Sequence, residues 1–155
     1  MKVLHIPYSY PPDPPGGTEV YVKGLVKELR SRGVDSLVAA AGHSKGSYEY
    51  EGTKVYRFLT SASQDLADLY GMRDDQALEA LDGILKQESP DLLHLHALTA
   101  GASPGFGVLA KEYGAAVVFS YHTPAVSCQR GTLFRWGSTN CDGVLRGRTC
   151  SACTL

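Results

Sequence analysis

Cys128, Cys141, Cys150 and Cys153 are the only cysteines of the chain, and all fall within its last 28 residues in the pattern C-x12-C-x8-C-x2-C. Two thiolates three residues apart can grip one tetrahedral ion, so the CxxC end is half of a common zinc site. Three outcomes stand open for the set: a zinc site using all four thiolates, disulfides, or free thiols or an iron–sulfur cluster. The surrounding segment has little periodic apolar content, so something other than burial must order it, and metal-binding energy can serve as folding energy. A thioredoxin-like redox role is disfavoured, because that CxxC sits after a first strand at a helix start. Arg130, Arg135, Arg146 and Arg148 surround the cysteines, with Phe134 and Trp136 among them. Guanidinium forks bind phosphate or carboxylate, and aromatic rings stack on sugars. Arg130 and Arg135 are therefore candidate binding residues for an anionic ligand, although a solvated charged loop would read the same way.

The histidines are the other candidate chemistry. His94 and His96 stand two apart in LLHLHA, so on a strand both would point to one face. Such a pair can chelate zinc, but a structural role is the simpler expectation; His96, nearer the strand end, is the better candidate for a donor- or acceptor-binding cleft. His5 lies inside an apolar run and reads as a core histidine with its hydrogen bonds made. His122, in SYHTP, follows another apolar run, where it could hydrogen-bond a ligand or cap the strand. His43 lies in a loop and is assigned no role.

PPDPPGGTEVYV, residues 11–22, is the third feature. A run of prolines, then Gly16 and Gly17, then an amphipathic helix is more than a plain connection needs. Glycines let bare backbone approach a ligand, and helix-start N–H groups attract anions. Glu19 in the first turn would be favoured by the helix dipole, which suffices to explain it, and it is also a candidate donor- or acceptor-binding residue. The dinucleotide fingerprint GxGxxG and the P-loop GxxxxGK[ST] are both absent, which disfavours a nicotinamide dehydrogenase or a nucleoside triphosphatase.

These residues must be carried by regular elements. Apolar runs at residues 2–8, 35–41, 53–59, 92–96 and 116–121 read as strands. Helical spacing predicts helices over 18–32, with Thr18 as cap and Gly33 as terminator, over 74–87, stopped by Pro90, and over 104–113. Residues 42–52 read as a loop. Alternating strands and helices with continuous apolar strands imply an α/β Rossmann-like doubly wound parallel sheet covered on both faces. After Tyr121 the periodicity vanishes, and residues 122–155 read as loop without a terminal helix. The expected domains are 1–126 and a cysteine-rich, basic 127–155.

With 155 residues, 43% hydrophobic and 20% charged, the chain is an ordinary globular domain. Its net charge of −1 argues against a general nucleic-acid binder. The balance is uneven: from Cys128 onward four arginines face one acid, Asp142. No signal peptide or membrane-length apolar stretch is present in the sequence, and a cytoplasmic location is expected.

In order, KVLHI, PPGGTEVYVKGLVKELRSRGVD, SPDLLHLHA and AAVVFSYHTP resemble the N-terminal domain of the retaining GT-B enzymes of glycosyltransferase family 4, over about residues 1–126. The resemblance implies one half of a GT-B fold that binds the acceptor, opposite a second half that binds a nucleotide-diphosphate sugar and is absent from these residues. It implies that Gly16 and Gly17 lie by the donor diphosphate and sugar, and that His122 faces the transferred sugar. No metal is expected in the chemistry, so zinc would be structural, and the 155 residues alone should transfer sugar poorly. The family pattern does not require the cysteines, which are a departure. An anionic or lipid-linked glycan acceptor fits the arginines, and peripheral contact with the inner face of a membrane fits such an acceptor. Two rivals remain: a zinc-stabilised, non-catalytic Rossmann-like interaction module, and a GT-B-type sugar-nucleotide epimerase, for which no acid–base carboxylates are identifiable.

Overall fold

The computed structural model describes residues 1–61, 74–122, 124, 127, 128 and 130–154. They form two compact units, Met1–Ser120 and Tyr121–Leu155. The expected boundary between residues 126 and 127 adjoins positions outside the described residues.

In the first unit the elements run β1 (Lys2–Ile6), α1 (Gly17–Ser31), β2 (Asp35–Ala41), β3 (Gly46–Tyr50), β4 (Thr53–Phe58), α2 (Asp75–Glu88), β5 (Leu92–Leu95), a 3-10 turn (Ala100–Ala102), α3 (Pro104–Glu112) and β6 (Ala116–Phe119). The six strands make one sheet in the order β3-β4-β2-β1-β5-β6. Every pairing is parallel except β3 with β4.

The two faces follow from strand periodicity. Leu37 and Ala39 of β2 join Leu4, Ile6 and Phe58 in a core closed by Leu81 and Leu85 of α2 and Phe106 of α3. The alternate residues Val38 and Ala40 join Val55 and Tyr10 beneath Val22 and Val26 of α1. Helices therefore cover both faces, the doubly wound arrangement expected of this alternation. The covering stops at β6, an edge strand on which Ala116, Val118 and Phe119 are exposed. Full coverage on both faces was expected, and the edge position of β6 explains the difference.

Three further expectations are corrected. Residues 42–52 are not all loop, because β3 folds back on β4 through Glu51 and Gly52, both with positive φ, at 48° and 75°. That pair of left-handed residues makes a tight hairpin turn. GSYEY escaped notice because only Tyr48 and Tyr50 alternate as half-buried apolar residues on a strand at the sheet edge. Gly16, not Thr18, is the N-cap of α1, while Gly33 ends the helix as expected, in the left-handed region at φ 78°. Residues 122–155 are not without regular structure: β7 (Phe134–Arg135) pairs antiparallel with β8 (Thr139–Asn140), and α4 (Gly147–Thr154) carries the CxxC. Among the described residues, no helix is long and apolar enough to cross a membrane.

Asp74 caps α2 by accepting from the Ala77 amide at 3.0 Å. At the other end Glu88 is the fastening to the sheet. Its side chain, 9% exposed, accepts from Lys54 Nζ at 2.7 Å and Lys2 Nζ at 3.1 Å, and from the Tyr56 hydroxyl. Burial pushes its carboxyl up, but hydrogen bonds from Lys54, Tyr56 and Lys2 outweigh that and bring it down to about 2. The folded form is the stronger acid, so its contribution is complete above the ordinary carboxyl value near 4.5 and fades as pH falls toward 2.

Glu88→Gln should therefore lose on the order of 2 kcal/mol at neutral pH. In urea titrations the gap to wild type should close between about pH 4.5 and 2; a gap that persists unchanged at pH 2.5 would show that charge is not its source. The apolar core makes a second prediction. Phe106, fully buried with its ring centroid 6.0 Å from that of Phe58, should cost about 3–5 kcal/mol on replacement by alanine. A midpoint shift worth under about 1 kcal/mol would mean the site collapses without leaving a cavity.

Candidate functional site

The carboxyl ends of parallel strands are where open α/β sheets receive ligands, and the β1–α1 loop lies at such an end. Its backbone is fastened on both flanks. On one flank, Tyr48 of β3 donates to the Pro11 carbonyl, and Arg57 of β4 donates to the Tyr10 carbonyl at 3.1 Å and pairs with Asp13. Tyr10 is itself buried, and that burial pushes its hydroxyl up to about 12. On the other flank stands Glu19. Its carboxylate accepts from the Gly16 amide at 2.9 Å and the Ser9 amide at 3.4 Å, and the residue is only 5% exposed. Glu19 is thus an internal clamp that closes the loop onto the first turn of α1.

This clamp separates the two glycines. A Cβ at Gly16 would lie 2.7 Å from Glu19 Oε2, so Gly16 is small to let the carboxylate in. A Cβ at Gly17 would meet nothing within 4 Å, so the open space lies at Gly17. Tyr8, Val20 and Tyr21 are exposed nearby in sequence.

His96 follows β5 and is buried, not on an open wall. Its Nε2 lies 3.1 Å from His5 Nδ1, and its ring is 6.0 Å from that of Tyr21. Parallel pairing of β1 with β5 puts His5 opposite His94, whose Nε2 lies 2.8 Å from Ser120 Oγ. One potential ligand atom from each of His5, His94 and His96 comes within 4.8 Å of the others, a separation that could hold a metal ion. The 3.1 Å contact already accounts for one pair as a hydrogen bond. Burial, then the neighbouring His94, lowers His5 to about 3, so it is neutral at ordinary pH. His5 is a core histidine as expected, but its hydrogen bonds are not complete: Nε2 is buried with no partner among the described residues. The sequence marked the HxH pair, whereas the register that adds His5 is a property of the sheet.

His122, half-buried, belongs to the second unit, as do the arginines and cysteines. Cys128, Cys141, Cys150 and Cys153 are all half-buried and in no disulfide, and all four line one cavity of about 30 Å³. Arg130, Arg135 and Arg146 line it too. Arg130 donates to the Cys153 carbonyl at 3.2 Å, and Arg135 lies over the Trp136 ring at 5.9 Å. Arg146 forks onto Asp142 at 2.9 and 2.8 Å and holds that carboxyl well below the usual range. Burial raises the Cys128 thiol, but the backbone amides of Leu133, Thr132, Arg130 and Gly131 more than reverse this and lower it.

Comparison with known proteins gives the family. The sequence profile of Glycosyltransferase Family 4 matches residues 15–145, from just before the glycine pair to beyond Cys141. A protein of Methanocaldococcus jannaschii named as an uncharacterized glycosyltransferase is 30% identical over 97 residues, 62% of this chain and 25% of that protein. The chain thus spans about a quarter of the length of the curated relative it matches. With a mainly parallel Rossmann-like sheet of six strands and a family profile matched over most of its length, the chain belongs to glycosyltransferase family 4.

Proposed function

We propose that this chain is the acceptor-side half of a hexosyltransferase that moves a sugar from a nucleotide-diphosphate donor to an acceptor hydroxyl, with retention at the anomeric carbon. The observation that carries the reading is the bare backbone at Gly17, where a side chain would meet nothing within 4 Å, at a helix start whose N-cap amide Glu19 holds. Leaving-group charge grows on the diphosphate as the sugar C–O bond breaks and the phosphate oxygen takes its electron pair. Fixed amide dipoles aimed at that oxygen stabilise it without having to reorganise. A second domain of the full enzyme holds the nucleotide. His122 hydrogen-bonds sugar hydroxyls or stabilises charge in the transition state, and no metal takes part in the chemistry. Arg130 and Arg135 recognise an anionic acceptor, such as a phosphate-linked lipid glycan or an acidic glycan, by charge-assisted hydrogen bonds.

The glycine pair supplies the test, because its members differ in what a side chain would meet. In the full enzyme, Gly17→Val should leave the melting temperature within about 2 °C of wild type and lower kcat/KM for the donor by about tenfold or more. Gly16→Ala should act on stability as well, by about 1 kcal/mol, through the displaced Glu19 carboxylate. Full activity in Gly17→Val would remove the donor from this loop. His122→Ala should lower kcat by about a hundredfold with little change in stability. An unchanged kcat would take His122 out of the reaction.

A further inference from the structure

The second unit poses a physical problem that the sugar-transfer reading does not answer. None of its described residues is buried, whereas the first unit holds two apolar clusters. Compact units below about 40 residues generally need a disulfide, a metal or a partner to fold. Its four cysteines, Cys128, Cys141, Cys150 and Cys153, form no disulfide with one another.

The backbone around those thiols is arranged in a specific way. Cys150 and Cys153 are three apart on α4, a spacing that puts both on one face of a helix. The Arg146 amide donates to Cys150 Sγ at 3.2 Å, and the Trp136 amide donates to Cys153 Sγ at 3.3 Å. Leu133 and Trp136 hold φ at 53° and 51°, the left-handed region that side chains of that bulk avoid. The Cys141 amide donates to the Leu133 carbonyl at 2.8 Å, which brings the second cysteine back against the turn after the first. Four thiolates gathered round one cavity would repel each other unless a cation stood among them.

We propose that Cys128, Cys141, Cys150 and Cys153 bind a single zinc ion that orders the second unit in place of a hydrophobic core. The cavity they line, about 30 Å³, has room for an ion. Its wall sets no three of the sulfurs within 4.8 Å of one another, so the ion must draw the thiolates inward onto tetrahedral positions. A divalent ion leaves part of the thiolate charge uncompensated, and Arg135, 3.9 Å from Cys141 Sγ, and Arg130 stand on the wall to offset it. Asp142 already occupies Arg146. The proposal is independent of sugar transfer: the ion's role is to hold the fold, and it touches no reacting atom.

The test uses the full chain, purified without added metal and without a metal-affinity step. Plasma mass spectrometry should find about one zinc per chain. A zinc chelator should raise the rate at which a thiol-reactive dye modifies the cysteines by about tenfold or more. It should speed tryptic cleavage after Arg130, Arg135, Arg146 and Arg148 to a similar degree, with Met1–Ser120 surviving as a resistant fragment. Cys128→Ser and Cys153→Ser should each lose most of the zinc. The wild-type metal content stands as a test even if those variants misfold. Zinc below about a tenth of an equivalent with four fully reactive thiols would overturn the proposal. So would disulfides in the intact mass, or the visible absorption of an iron–sulfur cluster.

Discussion

A carboxylate only 5% exposed must have its charge met by hydrogen bonds, and Glu19 meets that demand with the amides of the loop that precedes its own helix. Much of the first unit's functional end depends on this. The Glu19 carboxylate takes the space beside Gly16, which excludes a Cβ there, and the loop is drawn onto the start of α1 with Gly17 at its open side. Tyr48 and Arg57 hold the far flank from β3 and β4. A loop rich in proline and pinned on both sides has little conformational freedom left to lose on binding, so more of a ligand's contact energy appears as affinity. The short edge hairpin thus has a purpose beyond widening the sheet: it carries Tyr48 to the loop.

Beneath the same end of the sheet, three imidazoles pack where apolar residues would be expected. Parallel registration sets His5 against His94, and alternation returns His96 to the same side. The His94 and His96 rings lie with centroids 3.8 Å apart, tilted by 36°. Burial excludes the proton that His5 would accept when unfolded, so folding disfavours charge at that ring and acid works against the folded state. The unpaired Nε2 of His5 is a local cost in an otherwise well-packed core.

What the sequence made legible follows the same physics. The five parallel strands and three flanking helices of the first unit were readable because each is apolar at a fixed period, and burial demands that period. β3 was not, since a polar edge strand resembles a loop until its partner is known. The glycine pair was readable as a loop at a helix start, but the division of labour between Gly16 and Gly17 depends on where the Glu19 side chain turns. His5 joins the histidine cluster through sheet register, which no local pattern carries. α4 was missed because GRTCSACT has hardly any apolar periodicity; its hydroxyl, small and thiol side chains give a helix nothing to bury.

That failure in α4 points to a difference between the two units in the source of their order. In the first, Leu4, Leu81, Leu85 and Phe106 leave water together, and removal of apolar surface is non-directional, so position is set by packing. In the second, the available interactions are directional: amides onto sulfur, a forked Arg146–Asp142 pair and a two-residue hairpin. Exposed ion pairs and short hairpins contribute little in water, and the left-handed Leu133 and Trp136 work against the fold. A ligand that binds the folded form alone shifts such a balance by its own affinity. Four thiols around one cavity are the group in this unit with the chemistry to do so.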